Sequence, residues 1–140
     1  MTSTIIWPDT QYLTGYFSRL RGVTALTEMT PLSAIWFPRC RAIHTLGMRF
    51  PIDVVALDKE GVIINVKRFL TPNRIYIQKR AHTVIELCAL SPYPLESWIG
   101  AKLDLEARSQ NEEKYWATRI MFERMHEHTT VASVRAISIR

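Results

Sequence analysis

The sequence predicts an α+β fold: a small β-rich, partly closed, barrel-like sheet with an early amphipathic helix and a C-terminal helical extension. Three observations lead there. Short β-prone runs punctuated by turn residues fill residues 33–105. Tyr12, Tyr16 and Leu20 recur at four-residue spacing beside Leu13 and Phe17, and residues 111–128 are charged and free of Pro and Gly. At 140 residues and 47% hydrophobic the chain is long enough and apolar enough for one real core. Composition shifts beyond Ala107, which predicts a β-rich domain over residues 1–107 and an extension over 108–140.

The elements follow in order. Thr4–Trp7 is β-prone, and Pro8-Asp9 reads as its stop, with Asp9 as the N-cap of a helix. That helix carries the Tyr12/Tyr16/Leu20 stripe, places Arg19 and Arg21 in its last turn and ends at Gly22. Residues 24–31 form a polar loop. Ser33–Phe37 reads as a strand stopped by Pro38. Ile52–Leu57 and Val62–Val66 are apolar on both faces and meet across Asp58-Lys59-Glu60-Gly61, which predicts a central hairpin. Arg74–Arg80 alternates Ile75 and Ile77 with polar residues, Thr83–Ala89 is a further strand, and Leu103–Leu105 a brief closing one. The apolar residues Tyr115, Trp116, Ile120, Met121, Phe122 and Met125 surround the axis of the expected C-terminal helix, which therefore packs on the core or self-associates through residues 111–128. Val131–Ile139 is β-prone enough for an edge strand.

The formal net charge is +5, unevenly spread: Tyr12–Arg80 holds eleven basic and four acidic residues, Ala81–His128 five and eight. A cationic body attracts small anions, acidic proteins, nucleic acid or anionic lipid, although most such biases are only solvated surface. Nucleic-acid binding would use Arg39, Arg41, Arg49, Lys67, Arg68, Arg74, Lys79 and Arg80, weakly and without sequence preference. Cys40 and Cys88 are too few for a disulfide scaffold and read as small buried hydrophobes. Residues 1–9 lack the basic and apolar regions of a secretory signal, and no stretch approaches a membrane span, so the expected setting is soluble and cytoplasmic. No phosphate loop, paired-carboxylate motif or dinucleotide fingerprint occurs, and no cofactor is expected.

The densest unusual stretch is Pro38-Arg39-Cys40 followed by Ile43-His44-Thr45-Leu46-Gly47-Met48-Arg49-Phe50-Pro51-Ile52-Asp53-Val54-Val55. Upstream stands Phe17-Ser18-Arg19-Leu20-Arg21-Gly22; downstream stand Leu57-Asp58 through Gly61, Pro72 and Val84-Ile85-Glu86-Leu87. From about Tyr12 to Leu105 this order resembles the uncharacterised bacterial and archaeal family called domain of unknown function 192 (DUF192), in its Ile-His-Thr, Met-Arg-Phe-Pro-Ile-Asp-Val subgroup. The resemblance implies a small β-rich domain with an early helix, and implies no activity. Three departures concern loops: Cys88-Ala89-Leu90-Ser91-Pro92 follows Leu87 where the family continues to a glycine, Gly100-Ala101 replaces a Gly-Asp, and Val23-Thr24-Ala25-Leu26 replaces a Leu-rich turn.

Within that stretch Asp53 begins an apolar strand, where an unpaired carboxylate costs several kcal/mol to desolvate. Donors from His44, Thr45, Arg49 or Arg21 would satisfy it. The same five residues would form a polar ligand pocket for a small anion or a protein partner; the plainer account is that Asp53 ties down the 45–51 loop through hydrogen bonds. The leading expectation is thus a non-enzymatic binding or accessory module. The rival is a hydrolase or transferase using Cys40 as nucleophile and His44 as base, which four-residue spacing in a loop does not establish. A soft-metal site from Cys40, His44, Met48 and His82 has acceptable ligand types but no paired motif, and no metal is expected.

Overall fold

The computed structural model describes residues 2–13, 29–109, 112–121 and 132–137. Ten strands are present: β1 Thr2–Tyr12, β2 Ser33–Pro38, β3 Ala42–His44, β4 Ile52–Leu57, β5 Ile63–Leu70, β6 Ile75–Ile77, β7 Thr83–Cys88, β8 Lys102–Ser109, β9 Glu112–Met121 and β10 Ala132–Ile137. One 3-10 turn, Leu95–Trp98, precedes β8. Eight strands form one sheet in the order β10-β8-β9-β1-β2-β7-β4-β5, while β3 and β6 make a separate two-stranded sheet.

Period-2 alternation divides β2, β4 and β7 between two cores. Ala34, Trp36, Val55, Leu57, Ile85 and Leu87 enter one cluster. Their neighbours Ile35, Phe37, Val54, Ala56 and Val84 enter the other, which β3 and β6 cover with Ile43 and Tyr76. Both faces of β4 are therefore buried, as its apolar residues on both sides require, with Asp53 the one polar residue among them. The β4–β5 hairpin forms where the sequence places it, with Asp58 Oδ1 accepting from the Glu60 and Val62 amides and Gly61 at φ 84°. No side chain fits at Gly61, because a Cβ would lie 2.8 Å from the Leu103 carbonyl oxygen.

The expected early helix is overturned at its start. Asp9–Tyr12 runs as strand, parallel to Ser33–Trp36. Pro8 does not end β1; it falls where the register with β9 shifts, and a proline without an N–H is tolerated at such an irregularity. Tyr12 and Leu13 then face opposite clusters, which is strand rather than helix geometry. The remainder of that expected helix, including Arg21, lies outside the described residues.

The C-terminal helix is overturned as well: Glu112–Met121 is strand, paired antiparallel with β1 and β8. Its aromatic and β-branched residues suit a strand once partner edges exist, and tertiary pairing overrides the absence of Pro and Gly. Residues 122–128 lie outside the described residues. The sheet is not a closed barrel either. Among the described residues the hairpin turn and first residue of β5 meet the start of β8 through the isolated Val62–Lys102 bridge and the backbone bonds beside it, such as Ile63 to Ala101, instead of a ladder along the strands. No helix among the described residues is long and apolar enough to cross a membrane.

Candidate functional site

Asp53 is fully buried on β4 and its carboxylate is saturated. Oδ1 accepts from the Phe69 amide at 2.9 Å, and Oδ2 from the Ser91 amide and Arg68 Nη1, each at 2.8 Å. Arg68 also donates to the Ser91 and Tyr93 carbonyls and, through Nε, to Glu96 at 2.6 Å. These bonds tie the end of β5, the loop after β7 and the 3-10 turn to one side chain. The hydrogen bond with Glu96 holds the Arg68 guanidinium above its ordinary pKa and Glu96 below the usual carboxylate range. Phe69 and Leu90 take left-handed φ of 51° and 57°, and in both places the next or same amide is pinned by Asp53.

Thr45 is a second tie. Its hydroxyl donates to the Thr71 carbonyl at 2.7 Å and accepts from the Arg74 amide at 2.9 Å, while its backbone bonds Arg74 and Asn73. Gly47 donates to Asn73 Oδ1, so the 45–51 loop is clamped against the 71–74 loop. His44 and Arg49 are exposed. His44 Nδ1 accepts from the Leu46 amide at 3.3 Å. Of the residues expected to form one pocket, His44, Thr45 and Arg49 thus share one loop region, Asp53 takes its donors from Arg68, Phe69 and Ser91 instead, and Arg21 is outside the described residues. Cys40 is buried and its thiol donates to the Ala42 carbonyl at 3.1 Å. No cluster of three or more His, Cys, Asp or Glu suited to a metal ion occurs among the described residues.

Around His44 lies a surface that composition alone does not reveal. Ala42 pairs with Ile77 and His44 with Ile75, so Ile43 and Tyr76 turn inward while Ala42, His44, Ile75 and Ile77 face solvent. Arg41 adjoins one end of this face and Arg74 the other. Lys79 and Arg80 stand in the turn after β6, and the Gln78 amide ties that turn to the Arg41 carbonyl. Arg39, Arg41, Arg49, Arg74, Lys79 and Arg80 are all exposed, and none forms a salt bridge among the described residues. Residues 29–52 and 61–85 contain no Asp or Glu at all. A hollow of about 570 Å³ opens beside β3, lined by Arg39, Arg41 and His82 together with Cys40, Ala42 and Ala81. Such a surface concentrates positive potential with no internal counter-charge.

On the opposite side of β7 from Asp53's partner Leu87, Glu86 is buried in the core covered by β3 and β6, with Oε2 lacking a hydrogen-bond partner among the described residues. Burial pushes its carboxyl up to about 8. In the sequence Glu86 is only part of a family landmark, because nothing in Val84-Ile85-Glu86-Leu87 says that the acid faces inward.

Comparison with known proteins gives a family and a fold. A family model described as Uncharacterized ACR, COG1430 (DUF192) matches residues 7–91. A protein of unknown function from Novosphingobium aromaticivorans is similar in structure at TM-score 0.53 and 12% identity, over 63% of this chain and 72% of that one. A Sinorhizobium meliloti protein described as a proposed transcription regulator is similar at TM-score 0.57 and 17% identity, over 67% and 84%. No curated protein matches the chain.

Proposed function

The chain belongs to the DUF192 family, and from that premise we propose that it is a binding module, not an enzyme, whose cationic β3–β6 surface receives an anionic partner. The observation that carries this reading is the run of six exposed cations, Arg39, Arg41, Arg49, Arg74, Lys79 and Arg80, in two segments without a single carboxylate. His44 joins them on the surface. Thr45 acts one step away: its hydrogen bonds clamp the loop that carries Arg49 against the loop that carries Arg74, so that part of the surface is presented in one shape. A rigid array loses less entropy when a partner binds than a flexible one does.

The enzymatic alternative lacks comparable support. The Cys40 thiol is spent on a backbone carbonyl and His44 Nδ1 on a backbone amide. Cys40 lies buried in the cluster beneath β3 while the His44 ring faces solvent, so the fold does not set thiol and imidazole in one site.

Heparin chromatography tests the proposal, since a sulfated polyanion reports cationic surface directly. Wild type should elute at clearly higher salt than Arg41→Glu/Arg74→Glu. Lys59→Glu/Lys102→Glu, with the same change in net charge at the hairpin turn, should elute close to wild type. Equal retention losses in the two variants would show that overall charge, not this surface, does the binding.

A further inference from the structure

We infer that the anionic partner of this surface is a lipid bilayer; the inference rests on the anion-binding reading above and adds the partner's chemistry. Eight large hydrophobic side chains are exposed among the described residues. Three of them lie on this surface: Ile75 at 67% and Ile77 at 63% exposure on β6, and Leu46 at 52% on the loop after β3. Single exposed apolar residues are ordinary, but several in one neighbourhood mark an interaction surface.

The backbone holds that neighbourhood together. Ile75 and Ile77 share one face of β6 and stand about 7 Å apart by strand geometry, with His44 and Ala42 as cross-strand neighbours. Leu46 lies two residues beyond His44, on the loop that Thr45 and Gly47 bind to residues 71–74.

Charge and side-chain chemistry then select the partner. The cations interleaved with these residues, Arg74 next to Ile75 and Lys79 two beyond Ile77, match the phosphate layer of an anionic membrane. Aliphatic side chains beside them reach the boundary between headgroups and acyl chains, where their burial is favourable. Single-stranded nucleic acid is gripped by stacking on rings, yet these three residues are aliphatic. A folded acidic protein would be met by the same cations, but the anchors of protein interfaces are enriched in aromatic side chains, whereas these exposed residues are aliphatic.

Vesicle co-sedimentation of the full chain tests the inference. Wild type should pellet with vesicles of phosphatidylcholine containing roughly one third phosphatidylglycerol, and not with phosphatidylcholine alone. Ile75→Ser/Ile77→Ser removes only exposed side chains, and its thermal melt confirms folding; its vesicle partitioning should fall about tenfold, with a much smaller change in heparin elution. Arg41→Glu/Arg74→Glu should lose both. If wild type is retained on heparin but does not pellet with anionic vesicles, the bilayer is wrong while the anion-binding surface stands. Tighter binding to a short single-stranded RNA than to anionic vesicles identifies nucleic acid as the partner instead. Failure in both assays removes both readings.

Discussion

Removing the Asp53 carboxylate strands three donors at once: the Phe69 and Ser91 amides and one Arg68 N–H. Arg68 retains Glu96, and its side chain is 26% exposed, so water can replace part of what it loses; the two pinned amides have less recourse. Asp53→Ala is therefore expected to destabilise the fold by about 3 kcal/mol. His44 contrasts with it. Its ring is exposed and makes one long hydrogen bond, so His44→Ala should stay within about 0.5 kcal/mol of wild type. Urea denaturation of both variants measures the difference. A stable Asp53→Ala protein would mean that the network is dispensable and would return Asp53 to the candidates for ligand contact. The need for a partner at Asp53 was legible, because an acid opening an apolar strand must be satisfied. The partner's identity was not, since Arg68 and Ser91 are 15 and 38 residues away and only the pairing of β4 with β5 and β7 brings them near.

Strands were legible where their pattern is local. The β4–β5 hairpin carries its own turn chemistry in Asp58 and Gly61, and β2 and β7 are runs of β-prone residues. At β6 the alternation announces a strand but not its facing: Tyr76 is the inward residue, hydrogen-bonded to Asn65, and the two isoleucines point to water. Facing also decides the behaviour of β7. Glu86 ionises near its ordinary value of 4.5 in the unfolded chain but only at about 8 in the folded one, because burial penalises the charge. Between these values the native state holds a proton that the unfolded state has lost. The resulting stability is fully present below about 4.5 and is lost as pH rises through about 8, at up to about 1.4 kcal/mol per pH unit. Glu86→Gln keeps the size and removes the titration, so its stability should change less than that of wild type from pH 5 to pH 8. Denaturation curves at both ends of that window check it. Parallel pH dependence in the two proteins would show that Glu86 finds a charge partner when ionised.

For the whole molecule, the strand order joins segments that are far apart in sequence, and no local pattern encodes which edges are left open. Residues 112–121 read as helix from their composition; they form a strand because β1 and β8 both offer them a ladder. The cationic bias of the first half was equally legible from composition. Its concentration around β3 and β6 depends on a two-stranded pairing between segments some thirty residues apart. The sheet's connectivity gives the last test. β9 lies between β8 and β1 in the strand order, and β1 anchors Ile6 and Trp7 in the core. Deleting residues 110–140 removes β9 and β10 together, leaving β8 and most of β1 without the strand that joins them. Released main-chain groups can bond to water, so the loss is one of packing and restraint on β1 and not of every ladder hydrogen bond. A destabilisation of 1 kcal/mol moves the midpoint by about 4 °C in a chain of this size, and the truncated protein should melt at least about 5 °C below wild type. Newly bared edges also pair readily with another copy, so a larger mass in light scattering is the companion outcome. An unchanged midpoint with an unchanged mass would show that β1 and β8 hold their places without β9, and that the last two strands are an addition to a sheet already complete.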